Sequence, residues 1–161
     1  MWREVLFVGA VAAGCLIASA ALAQSDKQFL SDAIKGDNAE IALGQLAVRK
    51  GASDGVRSFA QMLIDDHGRG KKEPTAPPAD LDVKVTSGIS PQVQGEIDTL
   101  QRATGPDFDK AFVAYMVSDH EKDIAAFKEK AGEGDRPVSA LARKTLPVLE
   151  KHLQLARSLN D

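Results

Sequence analysis

From Phe29 onward apolar residues return at intervals of three and four: Phe29, Leu30, Ala33, Ile34, Ile41, Leu43, Leu46 and Ala47. That is the period of a helix with one buried face. Asp26 is placed to cap this helix and Gly51 to stop it. After a connection of about three residues, Ser53 caps a second helix with the stripe Val56, Phe59, Ala60, Leu63 and His67, weakened at its end by Gly68 and Gly70. So short a connection forces antiparallel neighbours, and the two helices form a hairpin.

The pattern then breaks. Pro74, Pro77 and Pro78 precede the alternating Val83 and Val85, so the stretch to Ile89 reads as a crossover loop. Ser90-Pro91 opens a short helix with Val93, Ile97 and Leu100 on one side, ended by Thr104-Gly105-Pro106. A long helix follows from Phe108 to about Ala131, with Phe112, Val113, Met116, Val117, His120, Ile124 and Phe127 on its apolar face. Gly132-Glu133-Gly134 closes it, and Asp135 and Pro137 begin the last helix. There the stripe is Val138, Leu141, Thr145, Val148, Leu149, His152, Leu155, Ala156 and Leu159, with a kink expected at Pro147. Two long hairpins joined by one long connection predict an all-α fold, a ferritin-like four-helix bundle with one long crossover carrying a short accessory helix. Phe-x6-Asp-His occurs twice, from Phe59 to His67 and from Phe112 to His120, a short repeat that pairs the two halves.

The beginning of the chain has another character. Arg3 precedes a low-polarity stretch of 19 residues from Val5 to Ala23 that ends in Ala21-Leu22-Ala23. Small residues at those two positions suit a signal peptidase, so residues 1–23 are expected to be a cleaved export signal and residues 24–161 the mature periplasmic domain. Two alternatives use the same stretch: an uncleaved anchor, since its length approaches that of a membrane span, and a lipoprotein attached through Cys15. Cys15 is the single cysteine, so cleavage leaves a domain with no disulfide and no thiolate ligand. A chain of 161 residues fits one domain. Its formal charge of −3 argues against nucleic acid as a partner, and after cleavage no stable membrane insertion is expected.

Chemistry enters with the three histidines, His67, His120 and His152, each on the apolar stripe of a different long helix. The remaining long helix supplies Glu40, in line with Phe29, Ala33, Gly36, Leu43 and Ala47. A carboxylate on a buried stripe needs a cation or donors. One carboxylate and three imidazoles from four helices would suit zinc, copper or iron. The competing reading is a structural polar layer in which Glu40 pairs with one protonated histidine. Asp66, Asp119, Glu121 and Asp123 lie at the same level, as further ligands, as acceptors that orient the imidazoles, or as a solvated face. Met116 precedes His120 by one turn and is a core residue or a thioether ligand. Counted from the first turn, His67 lies about four residues farther than Glu40, a stagger of roughly 6 Å, and the second hairpin shows nearly the same offset, so the alternatives are one tilted site or separate polar pairs.

The segments FLSDAIKGDNAEIALGQLAVRKG, FAQMLIDDH, FVAYMVSDHEKDIAAF and KTLPVLEKHLQLA, in this order and spacing, resemble the exported bacterial family catalogued as domain of unknown function 4142. The resemblance spans about Asp26 to Leu159 and implies a ferritin-like helical domain of the cell envelope, with no activity to inherit. Glu40, Asp66, His67, Asp119, His120, Glu121 and His152 match its polar pattern. The residues three before each histidine are Ile64, Val117 and Leu149, so the Glu-x-x-His pairs of di-iron oxidases are absent. P-loop, dinucleotide-glycine and HExxH motifs are absent as well. These observations favour a metal-binding bundle or a non-catalytic envelope interaction protein over an oxidoreductase.

Overall fold

The computed structural model describes residues 10–70, 83 and 88–159, with side chains at Leu22 and from Ser25 onward. These residues form five helices: α1 (Ala10–Lys50), α2 (Asp54–Gly70), α3 (Pro91–Arg102), α4 (Gly105–Ala131) and α5 (Pro137–Ser158). No strand occurs among the described residues. The chain is therefore an all-α bundle, as the periodicity predicts. α1 packs along α2 and α4 along α5, while α1 also meets α4 and α2 meets α5. The four long helices thus surround one core in the order α1, α2, α5, α4. Most of the expected crossover, including Pro74, Pro77, Pro78 and Val85, lies outside the described residues.

Local chemistry sets the turns. At the α1–α2 turn the Gly51 N–H donates to the Ala47 carbonyl at 2.8 Å. A Cβ at Gly51 would lie 2.7 Å from that same oxygen, which only glycine avoids. Ser53 Oγ accepts from the Val56 N–H at 3.2 Å, the expected cap. Asp109 of α4 accepts from the Ala52 and Ser53 N–H groups, both at 2.8 Å, and ties the turn to the second hairpin. Ser90 caps α3 by accepting from the Val93 N–H at 3.2 Å, ahead of Pro91. α4 begins at Gly105, three residues earlier than the apolar stripe suggests: Pro106 has the φ that a first helical turn needs, and Gly105 takes φ +57°, a turn conformation that favours glycine. Beyond α4, Gly134 takes φ +87° before α5 starts at Pro137.

One expectation is corrected. Asp26 is not a cap, since the Ala-rich segment before it continues the helix and α1 runs unbroken from Ala10. It is instead buried, with ion pairs to Arg136 at 2.8 Å and Lys130 at 3.3 Å, which fasten α1 to the α4–α5 turn. α5 contains Pro147 and runs on to Ser158. The glycines of α2 are also absorbed, and that helix extends to Gly70.

The apolar core fills the end of the bundle near the α1–α2 turn. Leu43, Leu63, Phe108, Phe112, Val113 and Met116 are buried there, joined by Ile97 and Leu100 of α3. The Phe59 and Phe112 rings meet edge to face with centroids 6.3 Å apart. Each long helix then places a polar residue one turn beyond this core: Glu40 beyond Leu43, His67 beyond Leu63, His120 beyond Met116 and His152 beyond Ala156.

Candidate metal centre

The four candidate residues come together. Glu40, His120 and His152 are fully buried and His67 is 7% exposed. His67 Nε2 lies 3.0 Å and His120 Nε2 3.6 Å from Glu40 Oε2. The imidazole centroids are 5.3 Å apart for His67–His152 and His120–His152, and 6.3 Å for His67–His120. One nitrogen from each ring falls within 4.8 Å of the other two.

The stagger in the residue count is closed by side-chain direction. Side chains on a helix lean toward its N-terminus, so in an antiparallel pair they lean oppositely. Glu40 leans away from the α1–α2 turn and His67 toward it. His120 and His152 do the same relative to the α4–α5 turn. Side chains whose Cα atoms are offset along the axis therefore converge on one level.

The outward nitrogen of each ring has a definite acceptor. His67 Nδ1 donates to Asp37 Oδ1 at 2.8 Å, His120 Nδ1 to the Met116 carbonyl at 2.9 Å, and His152 Nε2 to Asp66 Oδ2 at 2.9 Å. Carboxylates and carbonyls only accept, so the proton of each ring sits on that outer nitrogen. When the rings are neutral, three lone pairs face one another across the bundle interior. Among the described residues the buried side-chain atoms without a hydrogen-bond partner are Glu40 Oε1 and Oε2, His67 Nε2, His120 Nε2, His152 Nδ1 and, elsewhere, Ser139 Oγ near the start of α5. The 3.0 Å approach of His67 to Glu40 is thus an ion-pair contact without hydrogen-bond alignment.

Burial and charge act against each other here. Burial alone would raise the Glu40 carboxyl, but the charges of the imidazoles, His67 foremost, outweigh it and hold Glu40 below its ordinary range. Burial would likewise depress His67, yet Glu40 and Asp37 push it up to about 10. His152 is depressed by burial, and the neighbouring His67 and His120 add to that against the pull of Asp66. Burial works against Asp66, but its bonds to His152 and Arg69 hold its carboxyl below the usual range.

A second acidic group adjoins the histidines. One oxygen each from Glu40, Asp119 and Asp123 lies within 4.8 Å of the others. Burial, together with the negative charge of Glu40, raises Asp119. Burial and the charges of Asp119 and Glu40 push Asp123 up to about 7. An open cleft of about 110 Å³ reaches this level from the surface, with Phe29, Gly36, Asp37, His67, Asp123 and Leu149 among its walls.

The other sequence candidates divide. Asp66 orients His152, whereas Glu121 stands apart on an exposed face, paired with Arg157 at 2.7 Å. Its place one residue past His120 turns it about 100° around α4, away from the interior. Met116 is fully buried and meets His120 through its backbone carbonyl. Sequence reading missed Asp37, although its place three residues before Glu40 puts it on the same face of α1.

The three imidazoles and Glu40 are a donor set that could hold a transition ion, and each ring already carries the outer acceptor that such ligation uses. No helix among the described residues is long and apolar enough to cross a membrane. No curated protein and no solved structure matches the chain. The family model described as "Domain of unknown function (DUF4142)" matches residues 15–159, a span that takes in every residue of this centre. By that match over nearly its whole length, the chain belongs to the DUF4142 family.

Proposed function

We propose that the bundle binds one transition-metal ion, such as zinc, copper or iron, through His67, His120, His152 and Glu40. The observation that carries this reading is the set of five buried donor atoms without hydrogen-bond partners, all belonging to these residues. Leaving one buried polar atom unsatisfied is unfavourable by about 1–3 kcal/mol, and a cation bound among these atoms removes that penalty from several at once. The arrangement supports storage or buffering of an ion. Export also belongs to this proposal, with cleavage after Ala23 and residence in the periplasm. It is supported by the signal-like sequence and by Asp26, whose buried ion pairs would tie down the start of the mature chain.

Equilibrium dialysis of the purified metal-free chain against Zn(II), with Co(II) as a spectroscopic substitute, tests the site. One ion per chain is expected, lost in His120→Ala. Absence of binding, or binding unchanged in a variant lacking all three histidines, overturns the reading. Binding should tighten as pH rises toward 10, because the ion displaces the proton that Glu40 and Asp37 hold on His67.

A second reading is favoured by His67 itself, which lies between the Asp37 and Glu40 carboxylates at 2.8 and 3.0 Å. As an imidazolium it would make the cluster a structural polar layer in a non-catalytic envelope protein. A thermal midpoint indifferent to both Zn(II) and chelator would select that reading. The midpoint of a metal site rises with added Zn(II).

A further inference from the structure

Of the carboxylates beside the histidines, Asp119 and Asp123 are not used by the proposed histidine site. Asp119 and Asp123 are one turn apart on α4, and with Glu40 of α1 they bring three carboxylates within 4.8 Å. Among the described residues neither aspartate makes a hydrogen bond or ion pair with another side chain. Three acidic groups on a half-buried face would not justify a site alone. Glu40 supplies the independent observation: its carboxylate is fully buried, both of its oxygens lack hydrogen-bond partners, and one of them is part of this trio. The histidines approach Glu40 Oε2, at 3.0 and 3.6 Å, and Glu40 Oε1 also lacks a hydrogen-bond partner. A carboxylate has two oxygens and can join two cations. The cleft wall that includes Asp123 and Gly36 offers an ion a way in, and Gly36 presents no side chain above the Asp123 carboxylate.

We propose that Glu40, Asp119 and Asp123 form a second cation position beside the histidines, taking a hard divalent ion of the Mn(II) class through oxygen atoms, with Glu40 shared between the two ions. The division of ligands follows donor chemistry. Imidazole suits zinc, copper and iron, whereas an all-carboxylate set suits manganese, magnesium or calcium. The shared role of Glu40 rests on the histidine site of the proposed function, while the oxygen site itself can be tested apart from it.

The experiment titrates Mn(II) into the purified metal-free chain and into the chain preloaded with one equivalent of Zn(II), following the Mn(II) spin-resonance signal. One Mn(II) per Zn(II)-loaded chain is expected. An Asp119→Asn/Asp123→Asn double variant should weaken Mn(II) binding at least tenfold while still taking up one Zn(II), with helical content checked by circular dichroism. Replacing Zn(II) by paramagnetic Co(II) should broaden the Mn(II) signal, since ions sharing one carboxylate lie only about 3.5–4 Å apart. One Zn(II) bound with no Mn(II) taken up overturns the second site and leaves the histidine site standing. Mn(II) bound equally by wild type and double variant overturns it too. Mn(II) bound in the absence of any Zn(II) binding, and lost in the double variant, upholds the oxygen site and overturns the histidine site. An unbroadened signal beside Co(II) overturns the sharing of Glu40.

Discussion

The two copies of Phe-x6-Asp-His occupy equivalent positions on α2 and α4, which face each other diagonally across the bundle, and their members do not share one fate. Phe59 and Phe112 meet in the apolar core, and His67 and His120 both turn inward at the polar layer. The aspartates part company. Asp66 reaches across to α5 and accepts from His152, whereas Asp119 joins Glu40 and Asp123. The neighbouring helix makes the difference: α2 lies against α5, which carries a histidine, and α4 lies against α1, which carries a carboxylate. The same dipeptide therefore orients an imidazole in one half and gathers negative charge in the other.

The largest expected effect tests where the copies agree. Phe59→Ala and Phe112→Ala should each lower the unfolding free energy by about 3–5 kcal/mol in urea titrations. A loss under about 1 kcal/mol at either position would break the equivalence of the two rings in the core.

The next effect tests where they differ. Asp66→Ala removes the acceptor that fixes the His152 ring and should weaken Zn(II) binding about 10–100-fold, read by competition with a chromophoric chelator. Asp119→Ala should weaken it less, because Asp119 contacts no imidazole that it could orient. Equal losses would assign both aspartates one role.

A smaller effect separates them by sign in the metal-free protein. Asp66 has a depressed carboxyl, so its stabilisation is present above its ordinary range near 3.8 and is lost as pH falls. Asp119 is raised, so its contribution falls as pH climbs above 3.8, and Asp123 behaves likewise up to about 7. At pH 7, Asp66→Asn should therefore destabilise the fold and Asp119→Asn should stabilise it. Denaturant midpoints measured at pH 4 and pH 7 read both signs, and a shared sign would refute the electrostatic contrast.

The smallest effect bounds the motif. Glu121 follows the second Asp-His directly, yet its pair with Arg157 is exposed. Glu121→Ala should change stability by no more than about 0.5 kcal/mol and leave Zn(II) affinity unaltered. A measurable loss of zinc would bring Glu121 back to the centre.

Spacing alone determined the helices, because apolar residues three and four apart can be buried together only on a helix, and Ser53, Ser90, Pro91 and Pro137 marked starts through local hydrogen bonds and fixed φ angles. Spacing also placed Glu40 and the three histidines on inward faces. It misread Asp26, whose partners Lys130 and Arg136 are more than a hundred residues away. It left the axial level of the four polar residues open, since a count along two helices ignores the opposite lean of their side chains. Only the packed structure decided that Asp37, Asp66 and the Met116 carbonyl take the outer imidazole protons, and that Asp119 and Asp123 gather beside Glu40. The reason is geometric: a period records which way a residue faces around its own helix, while ligand distance depends on the rotation and axial shift of neighbouring helices, which the whole core sets together.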